Sequence, residues 1–172
     1  EDVTLSRQFR GALDVLKYVG EDGNTHALVS YAGGTVSEYV YKNGIWKKNA
    51  EPQLKARKKV SKLFQYFDDN GSLVFVFHYT DGSLDQYRQQ QDRTWKTFAD
   101  GLNTAVRKNV GSNDGVFNVV SFRDIYGTLH LLYRREDTSR FIDIQKGDNM
   151  WKQVTSESVT DLIRGPRHIF GE

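Results

Sequence analysis

"YFDDNGSLVFVFHYTDGSLDQY" runs from Tyr66 to Tyr87, and "YVGEDGNTHALVSYAGGTVSEY" runs from Tyr18 to Tyr39. Laid over each other without a gap, they align Tyr18 with Tyr66, Asp22 with Asn70, Gly23 with Gly71 and Tyr31 with Tyr79. Val36 and Tyr39 align with Leu84 and Tyr87. A Trp follows each stretch, Trp46 and Trp95, one residue out of step. A third stretch, "FRDIYGTLHLLYRREDTSRF" (Phe122–Phe141), keeps the aromatic five residues before a Gly, Phe122 to Gly127. Aligned by its aromatics, it places Tyr133 two residues early and Phe141 at the Tyr39 position, and Trp151 closes it. Each Trp is followed by Lys: "WKK", "WKT", "WKQ". Fixed-period self-similarity of this kind is the mark of a repeat architecture.

Within a copy the pattern is four short strands. In the second copy these are Leu63–Phe67, Leu73–Tyr79, Leu84–Gln90 and Thr94–Phe98. They are joined by "DDNG" and "TDG", as "EDGN", "AGG" and "YKNG" join those of the first. Asn-Gly and Asp-Gly supply the positive φ of tight hairpin turns. "LVFVF" is the near-continuous apolar run of a strand covered on both faces. "SEYVYK" and "LDQYRQ" alternate, as strands nearer an edge do. Four-stranded meanders repeated every 40–50 residues or so define β-propeller blades. The expected fold is therefore all-β, with three four-stranded antiparallel repeats at about 13–50, 62–100 and 116–155. It is half of a six-bladed ring or an irregular barrel. Three blades close a ring poorly, which points to self-association, a homodimer being the simplest case. The linkers 51–61 and 101–115 are each long enough for a short helix. "SESVTDLIRG" (Ser156–Gly165) has a helix cap, an apolar face and a Gly stop, which predict a short C-terminal helix. Val3–Phe9 reads as an edge strand.

Composition narrows the function. The chain has 172 residues, 38% hydrophobic, 13% aromatic and 27% charged, with a net charge of +2. That charge is too small to imply nucleic acid or a membrane surface by itself. No apolar run reaches the ~20 residues of a membrane helix. With no Cys at all, disulfides, thiol catalysis and Cys-bound zinc are excluded. No phosphate loop, nucleotide fingerprint or Ser-His-Asp arrangement is visible, and no cofactor is implied. His26, His78 and His130 are evenly spaced, but His26 aligns with Val74 and not with His78, so no metal site is expected. The Asp residues sit mostly in turns, where Asp serves the backbone, so a hydrolytic pair is not indicated. Lys55, Arg57, Lys58, Lys59 and Lys62 form one basic run. Its readings are a solvated linker or a contact for phosphate or an acidic partner. Asn70-Gly71-Ser72 is a glycosylation triplet inside a turn. The opening "EDVTLSRQFR" reads as a processed mature protein or a trimmed one.

"VSEYVYKNGIW" (Val36–Trp46) resembles the repeat of the small propeller lectins of fungi and soil bacteria that bind fucose. That repeat has an apolar residue, a Glu two positions on, and a Trp eight after the Glu. In that family an Arg on the second strand, a Glu on the third and nearby aromatic faces hold the sugar. The resemblance puts Glu38 at the Glu and Gln86 at its counterpart in copy two. Copy three has Ser139 two before its aromatic Phe141, which is too short. No Arg lies on the second strands of copies one and two; copy three offers Arg134 and Arg135 at the strand's far end. The implied sugar-binding residues are Glu38, Gln86, Trp46, Trp95 and Trp151, with the indoles stacking on sugar faces. The alternative for the Trp residues is packing between neighbouring blades. The sequence thus points to a secreted, non-catalytic carbohydrate-binding protein. The alternative is a secreted protein-interaction module that uses the repeats as scaffold, with nucleic-acid binding through the basic run behind both.

Overall fold

A computed structural model describes residues 9–110, 117–135, 141–148 and 150–154. Three four-stranded antiparallel meanders follow one another along the chain. The first comprises β1 (Ala12–Val19), β2 (Thr25–Tyr31), β3 (Val36–Lys42) and β4 (Ile45–Lys48). The second comprises β5 (Val60–Phe67), β6 (Leu73–Tyr79), β7 (Leu84–Gln89) and β8 (Trp95–Phe98). The third comprises β9 (Phe117–Arg123), β10 (Leu129–Arg135), β11 (Phe141–Lys146) and β12 (Trp151–Gln153). The first strands of successive sheets lie side by side, β1 by β5 and β5 by β9. The sheets stay separate hydrogen-bonded units, arranged like propeller blades and not merged into a barrel. Of the two linkers, the second carries a helix, α1 (Leu102–Asn109), with Leu102, Ala105 and Val106 buried on one face. The first has no helix; its Pro52 and basic run offer no apolar face of that spacing. The predicted strand Val3–Phe9 and helix Ser156–Gly165 lie outside the described residues, apart from Phe9, which is in a turn.

The turn chemistry explains the regularity. In the second and third sheets, the first hairpin is closed by an Asp whose Oδ1 accepts backbone N–H bonds from two residues of the loop. Asp68 takes Asn70 and Ser72, and Asp124 takes Tyr126 and Thr128. In the first sheet Asp22 takes Asn24. Gly23, Gly71 and Gly127 supply the positive φ in each loop, a conformation that favours Gly.

The central strands of the second sheet are covered on both sides because alternate side chains point at the two neighbouring sheets. Tyr18 and Leu28 of the first sheet meet Leu63, Phe75 and Phe77 of the second. Phe64, Tyr66 and Val76 of the second meet Leu131, Tyr133 and Ile144 of the third, with α1 closing that core. Phe9 covers Ala27 and Val29 on the outer side of the first sheet. Fully burying a side chain such as Phe75 or Phe77 contributes ~1.5–3 kcal/mol. Polar bonds fix the junctions: Leu63 N–H donates to Asp14 (3.0 Å), and Lys62 pairs with the same carboxylate. Ser121 Oγ donates to the Gln65 carbonyl (3.1 Å) and Arg123 to the Phe67 carbonyl (3.1 Å).

The pairing register corrects the third repeat. Tyr31, Tyr79 and Arg135 face Ala12, Val60 and Phe117, so Arg135, not Tyr133, holds the second aromatic's place. Tyr39, Tyr87 and Ile144 face Ala27, Phe75 and Leu131. Ile144, not Phe141, is therefore the counterpart of Tyr39. Aligning by aromatics fails because this inward-facing position needs apolar volume and not a ring, and Ile144 supplies it where Tyr39 and Tyr87 do in the other sheets.

Candidate functional site

The three Trp residues are equivalent. Trp46 faces Tyr41, Trp95 faces Gln89 and Trp151 faces Lys146 across the last hairpin of each sheet. The single-residue offset in sequence is absorbed in the turn of the second sheet. Trp95 and Trp151 pack between sheets. Trp95 stacks on Phe75 (centroids 4.7 Å) and meets the edge of Tyr18 in the preceding sheet (5.1 Å). Trp151 meets Tyr66 of the preceding sheet (6.0 Å). Trp46 meets Phe9 (5.6 Å).

With the register corrected, Glu38, Gln86 and Asp143 occupy one position, opposite Leu28, Val76 and Leu132. Asp143, not Ser139, is thus the third member, and reading by aromatics missed it. All three side chains are buried. Glu38 is 1% exposed. Its Oε1 lies 2.8 Å from His26 Nδ1 and accepts from Asn49 Nδ2 (2.8 Å), and its Oε2 accepts from Gln53 N–H (2.8 Å). His26 Nε2 lies 2.8 Å from Asp22. Gln86 accepts from the Tyr66 hydroxyl (2.7 Å) and donates to Asp100 (2.8 Å). Asp143 lies 2.9 Å from His130 Nδ1; burial pushes its carboxyl above the usual range, with His130 partly offsetting this. His26 and His130 are equivalent positions, stacked on Tyr18 and Phe122. His78 sits elsewhere, with Ser61 Oγ 2.9 Å from its Nδ1. Among the described residues, no cluster of His, Asp and Glu could hold a metal ion.

The basic run spreads over the molecule. Lys62 points to Asp14, and Lys58 pairs with Asp81 (2.6 Å) and donates to Ser83 (3.0 Å). Lys55 and Lys59 line a cleft of about 470 Å³ beside the Gly33–Gly34 turn. Arg57 turns into a larger cleft, about 680 Å³, at the β6–β7 turn of the second sheet. Asp85, Gln86, Tyr87, Phe98, Asn103 and Arg107 also line it. Both linkers therefore border one opening.

Its polar centre is Asp85, the second residue of β7. Arg57 donates to it through Nε (2.7 Å) and through Nη2, a two-pronged pairing. The Tyr79 hydroxyl donates to the same carboxylate (2.5 Å). Burial alone would raise the Asp85 pKa, but the bonds from Arg57 and Tyr79 and the Arg57 charge outweigh it and hold the carboxyl low. Burial and Asp85 together raise the Tyr79 hydroxyl well above its usual range. Asp85 is therefore an anion at neutral pH, an acceptor fixed in orientation. Tyr87 lies on the same face of the sheet as Asp85, and Phe98, paired with Gln86, lines the cleft from the other face, with the Arg88 guanidinium 4.1 Å from its ring. Asn103, which also lines the cleft, accepts from Leu84 N–H through its Oδ1 (3.1 Å). An Arg with a carboxylate is thus assembled here beside Tyr87, with the Arg coming from a linker 28 positions before the Asp and not from a second strand.

No family model and no curated protein matches the chain. Solved structures do. It is similar to a fucose lectin from Kordia zhangzhouensis in complex with methyl-fucoside: 14% identity over 83% of this chain and 98% of that one, TM-score 0.39. It is also similar to the six-bladed β-propeller lectin of Aleuria aurantia: 13% identity, 81% and 44% covered, TM-score 0.44. A third is the exo-β-1,3-galactanase of Phanerochaete chrysosporium with galactose: 17% identity, 86% and 38% covered, TM-score 0.44. The chain spans less than half the length of the last two.

Proposed function

We propose that the chain is a non-catalytic carbohydrate-binding protein, and that its site is the cleft around Arg57 and Asp85. The observation that carries this reading is the composition of that cleft. A fixed Arg–Asp pair offers donors and acceptors to vicinal hydroxyls, and Tyr87, on the same face, offers ring surface to the C–H side of a sugar. Its size, about 680 Å³, falls in the range of small-molecule sites. The three Trp residues and the Glu38 position then belong to the scaffold that carries the site. Binding without hydrolysis is favoured because glycoside cleavage needs one carboxyl held protonated beside a carboxylate. Asp85 is held ionised by Arg57 and Tyr79, and Asp100 accepts from Gln86 and from the Leu102 N–H. A glycan on a cell surface or in the medium is the ligand this chemistry fits, so we place the working protein outside the cell.

The test is calorimetric titration with a panel of neutral monosaccharides at low and high salt. The reading expects a Kd near the millimolar level, about −4 kcal/mol, little changed by salt. No heat with any sugar would sink it; a steep salt dependence would point to an anionic polymer instead. The second reading, a protein-interaction module, is favoured by one observation, the exposed apolar residues at the two ends of the sheet stack.

A further inference from the structure

The first and second sheets each turn one face, the trailing face, toward the sheet that follows. The third sheet has the same face and no described sheet after it. The pairing registers place Val120, Phe122, Leu132 and Phe141 there, as counterparts of Phe64, Tyr66, Val76 and Leu84 of the second sheet. Those four residues of the second sheet are all buried, at 6% exposure or less. Of their counterparts, Val120 is 58% and Phe141 43% exposed, and Phe122 and Leu132 are half-buried. A contiguous apolar face of this kind calls for a cover.

At the two earlier junctions the chain supplies part of that cover itself, from the segment that leaves the last strand of the sheet. After the first sheet, Leu54 and Ala56 enter the core that holds Leu16, Tyr18, Leu28 and Val36. After the second, Leu102, Ala105 and Val106 of α1 enter the core that holds Phe64, Tyr66, Val76 and Leu84. One polar bond seats α1 at the start of β7, where the Leu84 N–H donates to Asn103 (3.1 Å). The segment that leaves the third sheet repeats the pattern. "LNTAVR" (Leu102–Arg107) and "VTDLIR" (Val159–Arg164) align without a gap, apolar at the first, fourth and fifth places and Arg at the sixth. The leading apolar residue stands eight places after the Trp for Leu54, seven for Leu102 and eight for Val159. Positions one, four and five fall on one side of a helix. The third copy also has the larger residues. Ala105 and Val106 share their core with Ile144 and Trp151 of the following sheet, whereas Leu162 and Ile163 belong to the copy with no described sheet beyond it.

We propose that the segment Val159–Arg164, outside the described residues, docks as a helix on the trailing face of the third sheet of its own chain, as α1 does on the second. Val159, Leu162 and Ile163 then cover Val120, Phe122 and Phe141. Thr160 takes the place of Asn103, its hydroxyl accepting from the Phe141 N–H. The reach is sufficient. Val154 and Phe98 are equivalent, each lying opposite the counterpart residue, Asp143 or Gln86. Four positions carry the chain from Phe98 to Leu102, and five are available from Val154 to Val159. The larger Leu162 and Ile163 fill volume that the third sheet fills at the earlier junction. This end of the stack is then occupied from within the chain, and a partner protein reaches it only by displacing the segment.

Nuclear Overhauser spectroscopy on the full chain, methyl-labelled at Leu, Ile and Val, reads the contact directly. The proposal expects cross-peaks from the Leu162 and Ile163 methyls to the Val120 methyls and the Phe122 ring. Isotope filtering of a mixture of labelled and unlabelled chains is expected to show that they arise within one chain. Leu162→Asp is expected to remove them and to lower the melting temperature by roughly 4–8 °C, with the circular dichroism of the sheets retained. Asp161→Ser, on the opposite side of the helix, leaves both unchanged. Absent cross-peaks in the folded chain, cross-peaks that arise only between chains, or a melting temperature indifferent to Leu162→Asp overturn the proposal.

Discussion

Replacing Trp95 by Ala separates packing from ligand stacking at the position that the sequence pattern makes most conspicuous. The indole lies between two sheets, on Phe75 at 4.7 Å and at the edge of Tyr18 at 5.1 Å. Removing a Trp from such a place costs 3–5 kcal/mol or so, through lost transfer energy and the void left behind. Trp95 is half-buried and its indole N–H has no partner, so the lower end applies, about 3 kcal/mol. For a domain of this size that lowers the melting temperature by roughly 6–12 °C. Thermal and urea unfolding read the stability, and sugar titration at a temperature where the variant is folded reads the binding. The expected result is a large loss of stability with affinity retained, since Trp95 is not among the residues lining the cleft. A stable Trp95→Ala variant that no longer binds sugar would refute the packing assignment and return the site to the Trp residues.

Glu38→Gln tests the buried polar hub. Both carboxylate oxygens face donors, so an amide NH2 meets donors whichever way it turns. A loss of about 2–3 kcal/mol in urea unfolding is expected, and a change below 0.5 kcal/mol or so would contradict the assignment. His78 is neutral in the fold, because burial lowers its pKa from 6.5 to about 4. The unfolded chain binds that proton first as pH falls, so this stability is fully present above about pH 6.5 and is lost on descending to about pH 4. The loss is about 3 kcal/mol, and His78→Leu should flatten the stability profile across that window. Gly34→Ala should destabilise by roughly 2 kcal/mol. Gly34 has φ +86°, and an added Cβ would lie 2.9 Å from Lys59 Cβ and 3.0 Å from the Val60 backbone nitrogen. A neutral result would mean that the linker does not dock on this turn.

The scaffold was legible where local chemistry repeats. Tyr18, Tyr66 and Phe122 stand at fixed distances before a turn glycine, and hairpin turns are written by adjacent residues. Copy three was misregistered because core positions ask for apolar volume and not for an aromatic. Ile144 takes the place held by Tyr39 and Tyr87, and reading the third copy from Phe141 instead hid Asp143. The Glu38 match was visible, but its burial was not. Burial depends on where residues 49–54 fold back, and Asn49 and Gln53 announce that only once they donate to the carboxylate. The cleft was least legible. Arg57 and Asp85 belong to a linker and a strand 28 positions apart, and Arg57 looked like one of five similar cations. Only the path of the linker sets it apart from Lys58, which goes to Asp81.

The most direct test of the central claim is a map of which backbone amides shift when a neutral monosaccharide is titrated into isotopically labelled protein. The account predicts that the shifts gather around Arg57, Asp85, Tyr87, Phe98 and Asn103 and saturate at millimolar sugar. It also predicts that they vanish in an Arg57→Leu variant whose remaining spectrum is unchanged. Shifts centred instead on Trp46, Trp95 and Trp151, or a spectrum that no sugar moves, would contradict it.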